Sequence, residues 1–315
     1  MPLARATLSA LLLAAIATTT FAADIYVNRR VLGGDNGRVA IVDAEGKVLW
    51  ETPTHTTPHD LALLENGNVL FPLDDQTIIE MTPAHEIVWQ YTSTPKPGND
   101  GGVQVHAFQR LPDGNTMIAE SGNRRLIEVD KGGKIVKEVA LTTDHPNTHS
   151  DTRMARKLPN GHYLVCHEAD GKVREYDGDG KVVWTYALDL AGRPRSDGHG
   201  VEGHGTSVFG ALRLDNGNTL ISCGNGNRVI EVDRYGKTVW SIEQDELPGI
   251  TLAWVTDLQV RGNGNVIFGN CHAGPENPQI IEVDPRKKVV WTFKNFQTFG
   301  NSLAVWQVFE PSTGK

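Results

Sequence analysis

Cysteine is scarce, with three residues in 315 and none in a Cys-X-X-Cys pair, so a thioredoxin-like redox role has no support. An odd number in an exported chain leaves at least one thiol outside any internal bridge. A Cys166–Cys223 or Cys223–Cys271 disulfide stays open beside the alternative of small buried apolar residues. No apolar run is long enough to cross a bilayer. The net charge is −8 and lysines are interspersed with glutamates, so no basic stripe marks a nucleic-acid partner. A His-Glu-X-X-His spacing is absent, so any metal site would have to be assembled from separate segments. Long helical periodicity is missing from the whole mature part.

Residues 1–22 read as a signal peptide. Arg5 supplies a short positive region, residues 8–17 an apolar core, and Thr20-Phe21-Ala22 a small-residue cleavage site. With no Cys beside that site, no lipid anchor is expected. The product is therefore expected in a periplasm or secreted, as one domain over residues 23–315 and as a monomer.

What the chain has in abundance is glycine, 33 in all, and five of these sit in one repeated hairpin signal. Asn66-Gly67, Asp113-Gly114, Asn160-Gly161, Asn216-Gly217 and Asn263-Gly264 recur at intervals of 47, 47, 56 and 47 residues between apolar runs. Each pair predicts a type I′ turn. Downstream of the turns come a strand ending near Asp, a Gly-Lys pair, and a strand ending near Trp, as in Asp177 to Trp184 and Asp233 to Trp240. A period in the forties with four strands per copy is the mark of a propeller blade. The tryptophans are expected to fill space between blades.

The chain ends supply a sixth blade. Residues 25–30, 37–43 and 46–50 match a copy that lacks its inner strand, and residues 303–309 read as an inner strand with no successor. Pairing the two closes the ring and removes the exposed edges. The fold is expected to be all-β, a six-bladed propeller.

That topology turns positions into a place. The loops leading into inner strands and those leaving second strands share one face, where propeller pockets usually form. His55, His59, His106, His145, His149, His199 and His204 precede or begin inner strands. Arg29, Arg30, Asp74, Asp75, Glu120, His167, Glu168, Asn225 and His272 follow second strands. Nine of the 11 histidines fall in this set. His59, His106, His149 and His204, with Arg153, are the catalytic candidates. Arg30, Asp74, Glu120, His167, Trp254, Asp257 and His272 are the ligand-binding ones. Neutral imidazoles from several blades could also hold a transition metal, for which His106, His149 and His204 are the candidates.

Two segments break the repeat. Residues 189–205 form a Gly/His/Arg-rich loop on the pocket face that could act as a lid. Residues 270–275 put Cys271 and His272 beside the same mouth as Trp254 and Asp257.

The Asp-X-X-Gly-Lys-X-Val-Trp units, Asp177 to Trp184 and Asp233 to Trp240, resemble the pyrroloquinoline-quinone-type repeats of exported bacterial propellers. The resemblance covers nearly all of the mature chain and implies fold rather than chemistry. Quinoprotein dehydrogenases of that class have eight blades and a tryptophan-docking motif with a Thr-Gly pair. This chain reads as six blades, so the quinone is not expected to bind. Residues 158–161, followed by a strand and the Gly-Lys and Val-Val-Trp units, are also similar to the six-bladed arylsulfate sulfotransferases. That resemblance implies a histidine nucleophile at the channel mouth, among His59, His106, His149 and His204, with Arg153 as an anion clamp. The leading expectation is an exported propeller that binds a small molecule, glycan or peptide at a histidine-rich mouth. A His-dependent transferase, hydrolase or lyase, with or without a metal, is the enzyme alternative. A scaffold with a protein partner, like the outer-membrane assembly propellers, fits the fold but leaves the histidine bias unexplained.

Overall fold

The computed structural model describes residues 28–310, so the leader expected at residues 1–22 lies outside the described residues. Among these, 24 strands, numbered in chain order, form six four-stranded antiparallel sheets set as blades in a ring. One helical turn, Phe296–Phe299, precedes the last strand. No helix among the described residues is long and apolar enough to cross a membrane.

Blade one takes its inner strand from the C-terminal end: β24 (Val305–Phe309) pairs with β1 (Arg30–Asp35), followed by β2 (Arg38–Val42) and β3 (Val48–Pro53). The register sets Val31 opposite Val308 and Gly33 opposite Trp306. The ring therefore closes as expected, but with a strand five residues later than residues 25–30. Gly33 and Gly34 lie within β1, where close approach leaves no room for a side chain. A Cβ on Gly33 would stand 2.9 Å from Leu303, and one on Gly34 2.6 Å from Pro58. The reversal falls at Asn36-Gly37, both with positive φ (55° and 69°), which is the type I′ geometry.

The five repeated hairpins are not of that type. Only the glycine of each pair has positive φ, and Gly67 N–H donates back to Leu64 at 2.9 Å. Each is a type I turn closed by a left-handed glycine. The preceding Asn or Asp folds its side chain onto the backbone, as Asn66 accepts from Asn68 N–H at 3.0 Å. The Asp of the second repeat element works the same way, with Asp233 accepting from Lys237 N–H at 3.0 Å. Where that repeat lacks glycine, His85 and Lys287 adopt the positive φ instead.

Blades are clamped to one another by an Arg–Glu–Trp unit. Arg110 lies 4.8 Å over Trp89 of the preceding blade and donates to Glu80 at 2.7 Å. Arg213 repeats this on Trp184 (4.9 Å) and Glu175 (2.6 Å), and Arg29 on Trp291 (4.8 Å) and Glu282. These contacts account for Trp89, Trp184 and Trp291, while Trp50 stacks on His85 at 5.4 Å and Trp240 packs on the apolar cluster of Leu220 and Leu258. At the axis, Leu61, Phe209, Trp254 and Ala304 pack with Leu32 and Phe71 in one buried cluster. All four stand at the start of inner strands, so they give the mouth an apolar floor.

Candidate functional site

Three histidines from separate segments meet above that floor. His59 precedes β4 (Ala62–Leu63), His106 lies in β8 (Gln104–Arg110), and His149 is in the connection to β12 (Ala155–Lys157). Their ring centroids are 4.6 Å (His59–His106), 5.2 Å (His106–His149) and 5.8 Å (His59–His149) apart. The strand register shifts between Val105 and Ala107, so His106 is the extra residue of a bulge. Such bulges re-aim a side chain without ending the strand.

Burial first, and then the Arg153 guanidinium, holds His59 and His106 well below the ordinary imidazole range. His149 is lowered by the same two causes, against an opposing pull from Asp75. His106 Nδ1 lies 3.1 Å from the Thr152 carbonyl and 3.3 Å from an Arg153 nitrogen. These contacts exclude each other as hydrogen bonds, because the carbonyl only accepts and the guanidinium only donates. The shorter one places the proton on Nδ1 and leaves Nε2 as an acceptor. Arg153 is buried and ion-paired with Glu168, which corrects its reading as a clamp free to bind an anion. Burial also raises the Glu168 carboxyl.

A second group completes the mouth. The exposed His199 packs on Trp254 at 4.4 Å and on His272 at 5.4 Å, carried there by the long loop that leads into blade five. Burial and then the charge of His199 lower His272. Deeper in the channel, Arg156 binds Asp60 at 2.7 and 3.0 Å, and Asp257 adds a second carboxylate to their field. Asp60 and Asp257 both stand seven residues before their turn glycines. Asp257 was among the expected ligand-binding residues, and that shared register was the available signal for Asp60, which was missed together with Arg156.

Several expected site residues lie elsewhere. Arg30 begins β1 opposite Phe309, at the hairpin end of the blade, because the strand starts there rather than ending there. Asp74 caps its own turn, accepting from Gln76 and Thr77 N–H at 2.9 and 2.7 Å. Glu120 is fully buried and holds Arg125 at 2.5 Å and Asn123 at 2.7 Å. His167 is fully buried between the Asp151 carbonyl (2.7 Å) and the Tyr176 hydroxyl (2.8 Å), with both ring nitrogens satisfied. His204 is buried within the long loop, its Nε2 on the Leu190 carbonyl at 2.9 Å. The metal set His106, His149 and His204 is therefore not assembled. Among the described residues no group of three or more His, Cys, Asp or Glu side chains is placed to hold a metal ion.

A cavity of about 780 Å³ lies on the opposite face, lined by Trp89, Arg110, Leu111 and Lys131 among others. Its size exceeds its chemistry, since Arg110, Glu80 and Trp89 are already committed to the blade clamp. At the mouth, by contrast, His106 and His149 each have one ring nitrogen held by the protein and the other turned to no protein partner among the described residues.

Residues 35–293 match the profile of the family described as outer membrane protein assembly factor BamB, and the chain belongs to that family. A search of curated proteins found no match. Among solved structures, a protein of unknown function from Bacteroides caccae is similar at 22% identity. It covers 87% of this chain and 96% of that one, with a TM-score of 0.72. A catalytically inactive His-to-Ala virginiamycin B lyase from Staphylococcus aureus, solved with quinupristin, is similar at 13% identity. It covers 85% of each chain at a TM-score of 0.54. The WD40 propeller domain of Doa1 is similar at 17% identity, covering 77% of this chain and 72% of that one, with a TM-score of 0.55. At these identities the likeness is one of fold.

Proposed function

We propose that this propeller, exported by the leader at residues 1–22, binds a small molecule, glycan or peptide segment at the imidazole mouth. The observation that carries the reading is the contrast between its histidines and His167. The enclosed His167 has both ring nitrogens satisfied. His106 and His149 each have one nitrogen held by the protein and are kept neutral, so the other nitrogen is an acceptor. Trp254 with His199 and His272 offers an aromatic wall for the apolar part of a ligand.

The same neutral nitrogens favour a second reading, in which one of them takes a proton or attacks an electrophilic centre. A His-dependent transferase, hydrolase or lyase, including one of the arylsulfotransferase kind, would use the mouth in that way. The deciding test is a thermal-shift panel of glycans, peptides and aryl anions. We expect a stabilising compound whose effect disappears in His149→Ala. The melting temperature of the unliganded variant should barely move, since an exposed side chain contributes within about 0.5 kcal/mol. A shift that survives His149→Ala would put the ligand elsewhere.

A further inference from the structure

One hydrogen-bonded chain reaches the mouth from the rim of blade two. Asp75 accepts from the Thr56 hydroxyl at 2.5 Å and from Gln104 Nε2 at 3.3 Å. Gln104 Oε1 in turn lies 3.0 Å from His149 Nδ1. Because a carboxylate only accepts, the amide of Gln104 must turn its NH₂ toward Asp75 and its oxygen toward His149. An amide oxygen only accepts, so His149 Nδ1 must carry the proton. The backbone holds this arrangement in place: Val105 N–H donates to the Asp75 carbonyl at 2.8 Å, tying the start of β8 to the same turn.

We propose that Gln104, oriented by Asp75, is a positioning residue that fixes His149 in the Nδ1–H tautomer and so makes its Nε2 the proton acceptor of the mouth. The charged and titratable groups that face His149 are Asp75, Arg153, His59, His106 and His199. A neutral ring nitrogen that accepts a proton suits a ligand hydroxyl, such as that of a sugar or a phenol. Asp75 raises the basicity of His149 while burial and Arg153 lower it. The acceptor therefore stays unprotonated at neutral pH while exposed to solvent. The paired carboxylate of Glu168 is not available for the same task, because Arg153 holds it.

The use of this acceptor rests on the reading of the mouth as a ligand site, but the tautomer can be measured without a ligand, so the two can fail separately. Long-range proton–nitrogen correlation on the nitrogen-15 histidine-labelled full-length protein reports which ring nitrogen is protonated. In the wild type we expect His149 as Nδ1–H. In Gln104→Leu the proton should move to Nε2 or divide between the two nitrogens. In Gln104→Glu the Nδ1–H form should persist and the His149 titration should move to higher pH. Unchanged His167 signals in each variant would show that the fold is intact. A wild-type His149 protonated on Nε2, or a tautomer indifferent to Gln104→Leu, would overturn the proposal.

Discussion

Arg156 of blade four grips both carboxylate oxygens of Asp60, at 2.7 and 3.0 Å, across 96 residues of chain. Asp257 shares this channel, where burial, partly offset by Arg156, pushes it up to about 7. Its unfolded value is near about 3.9. The folded chain thus holds an extra proton between those limits. The stability from Asp257 is full below the unfolded value and is lost as pH rises through 7. We expect Asp257→Asn to gain on the wild type between pH 5 and pH 8 by an amount on the order of a few kcal/mol in urea melts. Parallel pH profiles for the two proteins would contradict the placement of this acid.

His167 works with the opposite sign. Burial lowers it to about 4, so the unfolded chain takes up the proton first as the solution is acidified. The stability it contributes is present above about 6.5 and is lost as pH falls through 4, in total roughly 3 kcal/mol. Replacing it in His167→Asn should flatten the loss of stability between pH 7 and pH 4. An unchanged acid limb would mean that His167 is not the buried neutral group described.

The blade clamp is tested at Arg213, which covers Trp184 and pairs with Glu175. Removing a charge-assisted bond and a cation–π contact should cost about 2 kcal/mol in Arg213→Ala. Arg213→Lys should recover only part of this, because lysine lacks the planar fork. Full recovery by lysine would reduce the clamp to simple charge.

All three cysteines are free and buried, and burial raises each thiol. The bridges left open by the sequence are not formed. We expect no reaction of the native protein with an aqueous thiol reagent and three equivalents of reaction in denaturant. Labelling of the native state would show an exposed cysteine.

The blade count was legible because Asn-Gly hairpins are local devices, readable from neighbours alone. Their turn type was not, since the Asn66 side chain bonds to the Asn68 backbone and displaces the I′ geometry. The strand Arg30–Asp35 was hidden by two glycines whose reason is contact with Leu303, Phe299 and Pro58, distant in sequence. The face of His59, His106 and His149 followed from topology. Which histidines stay unsatisfied did not follow, because that depends on the carbonyls of Asp151 and Thr152 and on the hydroxyl of Tyr176. Glu120 and Arg153 were misread for a related reason: their partners Arg125 and Glu168 consume the charge that made them look available.

The most direct measurement follows the imidazole resonances of His59, His106 and His149 as a compound chosen from the thermal-shift panel is added. We expect these three sets to move together while the enclosed His167 stays still. Movement confined to residues lining the groove at Trp89 and Arg110, or no binding by any glycan, peptide or aryl anion in the panel, would contradict a ligand site at the mouth.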